Sequence, residues 1–338
     1  MYSKSGAVVK RQIKNMESPQ NIKKRLKSVN NINQITKAME LVSATKMRKS
    51  QQIALDSRPY AFATLELLAN VSVLEDLKKW NIPLFEVRKQ IKKVLFVVVA
   101  SDKGLAGAFN SSVFKKFEQH LKIEKAQWKK EKHLFLPIGE KAYSYLSKKF
   151  STTDQSVVLP KFTQAGDFTT PEQVKPITDF IIQGYLEKKW DRVIVISTHF
   201  RSALKQEPHV RRILPIDFDH IADTIKEIIP ERGKFADLIK EHHINFVPNK
   251  AKLKEYTIEP KAEKVLENLA EHLFFMQIYH LILEANASEH SARRMAMKTA
   301  SDNASDLSEA LNLQYNKSRQ SKITTEIAEI SAGAEAQS

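Results

Sequence analysis

Gly104 and Gly107 fall between a valine-rich run and a helical stretch, where backbone N–H groups at a helix start can cradle a phosphate. Their spacing is G-x-x-G, which is neither the G-x-G-x-x-G nor the G-x-x-x-x-G-K-[ST] of a phosphate loop. The pair therefore reads as a strand-to-helix turn, flanked by the surface polar residues Asp102 and Lys103. Histidine is the other candidate, as general base or metal ligand. His242 and His243 are adjacent, while His272, His280 and His290 are scattered along a later segment, with no carboxylates clustered at ligand spacing. Neither H-E-x-x-H nor G-x-S-x-G occurs. Cysteine is absent, which excludes disulfides and thiolate metal sites. The expectation is a chain with no catalytic residue, no cofactor and no metal.

Charge is the remaining chemistry. The net charge is +15 over 338 residues, which suits nucleic acid, an anionic membrane surface or an acidic protein. Lys23, Lys24, Arg25, Lys27, Lys37, Lys46, Arg48 and Lys49 make one helix strongly basic. There is no heptad zipper beside a basic fork, and no helix-turn-helix pattern. Aromatic residues, 8% of the chain, are not gathered near the cations, so a base-stacking platform is unsupported. No run of about 18 apolar residues exists, so no transmembrane helix is expected. A hydrophobic content of 42% is enough for a folded core.

Two long helices position these residues. Between Pro260 and Gly333 there is no proline or glycine, and good helix formers dominate. As one helix this segment is about 105 Å long at about 1.5 Å per residue, too long for an ordinary domain to surround. Leu266, Leu269, Leu273, Met276 and Leu283 keep a 3-4 spacing that asks for a partner helix. Ala292, Ala296, Ala300 and Ala304 form a small-residue ridge. The stretch from Asn312 to Lys322 is largely polar, before Ile323, Ile327 and Ile330 restore the apolar spacing. Near the start, Ile22, Leu26, Val29, Ile32, Ile35, Met39 and Val42 step by three or four, predicting an amphipathic helix that continues past Pro59. Together the two read as an antiparallel coiled coil.

The period changes between them. Residues 92–100 form a continuous valine-rich run typical of a buried parallel strand. Further strands are expected at HLFLPIG, VVLP, DRVIVIST and, at an edge, EPHVRRILPI, alternating with three helices. The predicted fold class is α/β: a long antiparallel coiled coil of the terminal helices with an inserted Rossmann-like α/β domain. The divisions are a basic flexible tail over 1–18, a coiled-coil helix over 19–80, an α/β domain over 90–218, an elaborated connection over 219–258 and a coiled-coil helix over 260–332. The tail holds four cations in its first 15 residues but lacks the apolar core of a secretory signal.

The helices carry a recognisable text. INQITKAMELVSATKMRKSQ (32–51) resembles the N-terminal signature of the gamma-subunit family of F-type ATP synthases. SEHSARRMAMKTASDNASDL (288–307) and YNKSRQSKITTEIAEISAGA (315–334) resemble its C-terminal signature. VVVASDKGLAGAFNSSV and VIVISTHFRSALKQEPHVRRILPI resemble its first strand and turn and its later strand. The likeness runs from about residue 18 to 335, in order.

The resemblance implies a central rotor shaft that couples proton-driven rotation of a membrane ring to conformational cycling of catalytic beta subunits, regulates ATPase activity and proton flow, and carries no active site. Implied partners are the alpha and beta subunits of the hexamer, the epsilon subunit and the c-subunit ring, with no nucleic acid. The implied place is the cytoplasmic side of a bacterial inner membrane, held peripherally through the complex. By motif match, Arg319, Gln320 and Thr324 correspond to positions that meet a beta-subunit loop, Arg293 to an arginine implicated in coupling, and Met39 to a methionine near the beta-subunit lever region. Arg294 replaces a usually apolar residue, Ser305 stands where small residues, often glycine, are common, and the absent cysteine excludes the thiol regulation of chloroplast relatives. Two readings from other classes stay open: a basic coiled-coil protein that binds nucleic acid, and a nucleotide-using α/β enzyme.

Overall fold

The computed structural model describes residues 18–56, 82–88, 90–127, 131–150, 156–164, 169–216, 259 and 261–335. The expected tail up to residue 17, the helix beyond Pro59 and the connection over 219–258 lie outside the described residues. The chain divides into two compact units, one made of Met1–Val42 with Arg294–Ser338, the other of Ser43–Arg293. The elements are mixed α/β, with a five-stranded sheet and a very long C-terminal helix.

In order they are α1 (Pro19–Asp56), β1 (Lys93–Val99), α2 (Phe109–Gln127), β2 (Lys132–Ile138), α3 (Glu140–Lys149), β3 (Ser156–Val158), α4 (Pro171–Leu186), β4 (Arg192–Phe200), β5 (Gln206–Leu214) and α5 (Ala262–Glu335). The sheet order is β3-β2-β1-β4-β5. The first four strands pair in parallel, and β5 runs antiparallel at the edge beside β4, as expected for the segment beginning EPHVRR. Alternation along each strand sorts its side chains into two cores. Leu95, Val97 and Val99 with Val193 and Val195 meet α4 and α5. Val94, Phe96 and Val98 with Ile194 and Ile196 meet Val113 and Phe117 of α2 and Ala142 and Leu146 of α3. Strands buried on both faces explain why these segments read as unbroken apolar runs.

Leu266, Leu269, Leu273, Met276 and Leu283 are buried, as their spacing predicts. The surface that Leu266, Leu269, Leu273 and Leu283 bury against includes the sheet and α4, rather than a partner helix alone. Ile53 of α1 packs on the same core. Tight packing shows at Gly184, where an added Cβ would lie 2.0 Å from the Trp190 ring. Gln173 accepts the Thr170 N–H at 3.1 Å to open α4, with Pro171 in the first position.

Within the first unit, α1 buries a different face from the one its apolar residues suggest. Ile22, Thr36 and Glu40 are buried, and Leu26, Val29 and Asn33 half-buried, a series stepping alternately by four and three. On α5 the matching series is Met297, Ser301, Ala304, Ser308, Leu311, Tyr315 and Ser318. Ser301 Oγ donates to Asn33 Oδ1 at 2.6 Å and Ser308 Oγ to Asn30 Oδ1 at 2.7 Å, so the helices run antiparallel here. Ile32, Ile35 and Val42, expected in the seam, are exposed. The two candidate seams lie one residue apart, about 100° around a helix. The small side chains of Ser301 and Ala304 are buried in this seam, and the hydrogen bonds to Asn33 and Asn30 tie the polar face across it.

Candidate functional site

The sequence points to five residues, and the structure separates them. Arg319, Gln320 and Thr324 lie exposed near the end of α5. Thr324 Oγ1 donates back to the Gln320 carbonyl at 2.9 Å, which fixes the threonine and leaves the amide and guanidinium heads outward. Met39 is half-buried on α1. With residue 33 level with residue 301, Met39 and Arg319 are about 36 Å apart along the axis at helical rise. The five therefore do not form one cluster: Arg319, Gln320 and Thr324 lie together near the end of α5, Met39 lies on α1, and Arg293 belongs to the second unit.

The ends of these helices have an inverted polarity. Polar and small side chains fill much of the seam, and large aliphatic ones face outward. Ile32, Ile35, Leu41 and Val42 on α1, and Leu307, Leu313, Ile323, Ile327 and Ile330 on α5, are all exposed, Leu313 by 69% and Ile330 by 72%. Lys23, Lys24, Arg25, Lys27 and Lys37 share the outer surface of α1. So many exposed large aliphatic side chains on two paired helices make this surface a candidate for contact with another protein. Lys322 and Glu326, 3.5 Å apart, form an exposed i,i+4 pair of small energetic weight.

Arg293 belongs to the second unit and is only 8% exposed. Its Nη2 lies 2.6 Å from Glu289 Oε1, and its guanidinium donates at 3.3 Å to the carbonyls of Lys103 and Gly104. The glycine turn thus has a use that its spacing did not reveal: its carbonyls receive an arginine 189 positions away. Asp102, read from sequence as a surface polar residue, accepts the N–H groups of Glu140 and Gln164, both at 3.0 Å, and so caps α3. Leu105 and Gly107 adopt φ of 63° and 55°, the conformation that favours glycine at the second of them.

A buried polar belt continues along α5. His199 Nδ1 of β4 lies 2.8 Å from Glu284 Oε2. Burial pushes the Glu284 carboxyl up, but the His199 hydrogen bond, with the charges of His199, Arg211 and His280, outweighs it and holds the group below its ordinary value. Tyr279 donates to the Thr169 carbonyl at 3.2 Å, Asn286 to Thr169 Oγ1 at 2.5 Å, and Ser291 to the Ala203 carbonyl at 2.8 Å. Periodicity could not find these residues, because His280, Glu284, Glu289 and Arg293 look like the solvated face of an amphipathic helix. The signal was the density of polar residues in a segment that has no large polar face to spare.

No group of three or more potential metal ligands occurs among the described residues, and none of their helices is long and apolar enough to cross a membrane. A groove of about 760 Å³ between α2 and β5 is lined by Lys115, Lys116, His120, Glu207 and His209, without a convergent nucleophile–base pair.

A family model described as ATP synthase matches residues 18–337. The ATP synthase gamma chain of Roseiflexus castenholzii is 35% identical over 322 residues, covering 95% of this chain and 99% of that one. That of Bdellovibrio bacteriovorus is 36% identical over 323 residues, with the same coverage of both chains. Among solved structures, a chain of the Euglena gracilis mitochondrial ATP synthase (OSCP/F1/c-ring, rotational state 3) shares the fold with a TM-score of 0.57 at 19% identity, covering 94% of each chain. A chain of the Tetrahymena thermophila mitochondrial ATP synthase central stalk/c-ring shares it at 0.50 and 24% identity, over 79% of this chain and 99% of that one.

Proposed function

The chain belongs to the ATP synthase gamma-chain family, and on that premise we propose how its two units work. It is a non-catalytic rotor subunit of an F-type ATP synthase. The paired ends of α1 and α5 are the shaft, an antiparallel coiled coil within the hexamer of alpha and beta subunits. A Rossmann-like domain over about 90–218, inserted between coiled-coil helices over 19–80 and 260–332, is the foot that meets the epsilon subunit and the c-subunit ring. The assembly holds the chain peripherally on the cytoplasmic side of a bacterial inner membrane.

One observation carries the shaft reading: the inverted polarity of the helix ends. An isolated helical pair gains nothing by exposing Ile323, Ile327 and Ile330 while seating Ser301 and Ser308 against asparagines. Inside a ring of subunits the same surface becomes a bearing. Arg319, Gln320 and Thr324 meet the beta subunits near the tip, Met39 meets them farther down, and exposed cations supply long-range attraction without a deep, immobilising contact. An asymmetric shaft presents a different face to each beta subunit, so turning it cycles them through states that differ in contact energy. ATPase activity and proton flow are regulated through the same contacts. Arg293 serves coupling from inside the foot, through the turn it holds.

The test is ATPase of mixed alpha and beta subunits with and without the full chain. The reading predicts a several-fold rise in steady turnover on adding the chain, and no binding of labelled nucleotide to the chain alone. Turnover indifferent to the chain, with salt-dependent retention on DNA at physiological ionic strength, would favour a nucleic-acid-binding helical protein instead.

A further inference from the structure

Open parallel sheets bind their ligands in the crevice beyond the carboxyl ends of the strands, at the point where strand order reverses. Here that point lies between β1 and β4, since β1 leads to β2 and β3 on one side and β4 to β5 on the other. Its walls are the turn after β1 and the hairpin after β4. This crevice is filled by the chain itself. Arg293 donates to the carbonyls of Lys103 and Gly104 on the first wall, and Ser291 donates to the Ala203 carbonyl and lies 3.4 Å from the Gln206 amide on the second.

The same helix is held twice more on its approach. Glu284 meets His199 near the end of β4, and Asn286 meets Thr169 ahead of α4. Every residue of α5 from Ile278 to Ser291 is buried, so these bonds form out of water. Apolar packing such as that of Leu273 and Leu283 is nondirectional and permits a helix to turn or slip within its bed. Hydrogen bonds are directional and weaken steeply with misalignment. Four bonded positions over about ten residues, reaching three separate loops and a strand, fix both the azimuth and the depth of α5.

We propose that Glu284, Asn286, Ser291 and Arg293 are positioning residues forming a torque clamp, in which α5 occupies the domain's ligand crevice and is locked there against rotation about its own axis. The inference rests on the rotor reading. A force turning the domain is delivered to α5 without slip, and the crevice is closed to any nucleotide.

The test uses the complete ATP synthase in proteoliposomes, reading protons pumped per ATP hydrolysed. Paired Glu284→Gln and Ser291→Ala substitutions should lower this ratio by about fivefold or more while ATP hydrolysis persists. Exchanging the first pair, Glu284→His with His199→Glu, should recover most of it. An unchanged ratio in a fully assembled complex would overturn the clamp. Where the first variant fails to assemble, Ala203→Cys with Ser291→Cys decides, because the chain has no other cysteine. A clamp predicts that oxidising this pair leaves the ratio within about twofold of wild type. Inhibition that reductant reverses would mean that the surfaces must move, and would contradict it. Failure of the wild-type chain to activate alpha and beta subunits would instead overturn the rotor reading.

Discussion

Ser301 Oγ and Asn33 Oδ1 are 2.6 Å apart although 268 positions separate them in the chain. The contact joins the two ends of the sequence through polar atoms, at a place where an ordinary helix pair would set leucine against isoleucine. The seam around it mixes buried small and polar side chains, such as Ser301, Ala304 and Thr36, with a few large ones. The apolar residues that spacing alone would put there lie outside, available to a partner.

Removing either group should therefore cost only what one half-buried hydrogen bond contributes. Ser301→Ala and Asn33→Ala should each lower unfolding stability by about 1 kcal/mol, with a coupling of about 0.5–1.5 kcal/mol in the double-mutant cycle. Urea unfolding of the full chain measures it. Strict additivity would show that the two side chains do not share a bond.

Gly184 sits inside α4, where alanine normally stabilises a helix by about 1 kcal/mol. Its added Cβ would collide with the Trp190 ring, itself buried and donating from Nε1 to the Ile181 carbonyl at 3.1 Å. Gly184→Ala should therefore destabilise, by about 1–3 kcal/mol or more, as a lowered melting temperature. A rise in that temperature would mean the indole can retreat.

These two sites mark what the sequence can and cannot disclose. β1, β2 and β4 follow from apolar runs alternating with helical periods, because a sheet covered on both faces leaves no ambiguity of face, whereas β3 is short and β5 is an edge strand with a polar, half-buried sequence. The seam of α1 was illegible for the opposite reason. Ile32, Ile35, Met39 and Val42 keep the same spacing as Asn33, Thr36, Glu40 and Ser43, and only the partner helix chooses between them. Resemblance singles out Arg293, but not its contacts with the Lys103 and Gly104 carbonyls, because backbone carbonyls carry no residue-type signature. The exposure of Arg319 and Gln320 follows from a polar stretch with no core of its own.

Glu131 offers a pH test. Burial raises its carboxyl to about 7, opposed in part by Arg192 and reinforced by Glu124 and Asp191. A folded value above the unfolded one means stability that is whole below about 4.5 and falls as pH rises to about 7. Glu131→Gln removes this dependence. The variant should gain on wild type by about 1–2 kcal/mol between pH 5 and pH 8, read from urea midpoints at each pH. A constant difference across that range would show that the carboxylate stays ionised in the fold.

Arg319→Ala with Gln320→Ala removes two exposed heads, so stability should change by less than about 0.5 kcal/mol and helicity should persist. Coupled ATPase of the reconstituted complex should fall by about tenfold, the effect of losing about 1.4 kcal/mol of differential contact. Loss of folding, in place of loss of activity, would assign the pair a structural role.

The most direct measurement is rotation itself. The chain, tagged with a bead through its α/β domain, is assembled with surface-fixed alpha and beta subunits and given ATP. The account predicts unidirectional rotation in three steps per turn, one for each beta subunit, that stops when ATP is withdrawn. ATP hydrolysis by a complex containing the chain, with the bead stationary or turning at random, would contradict it.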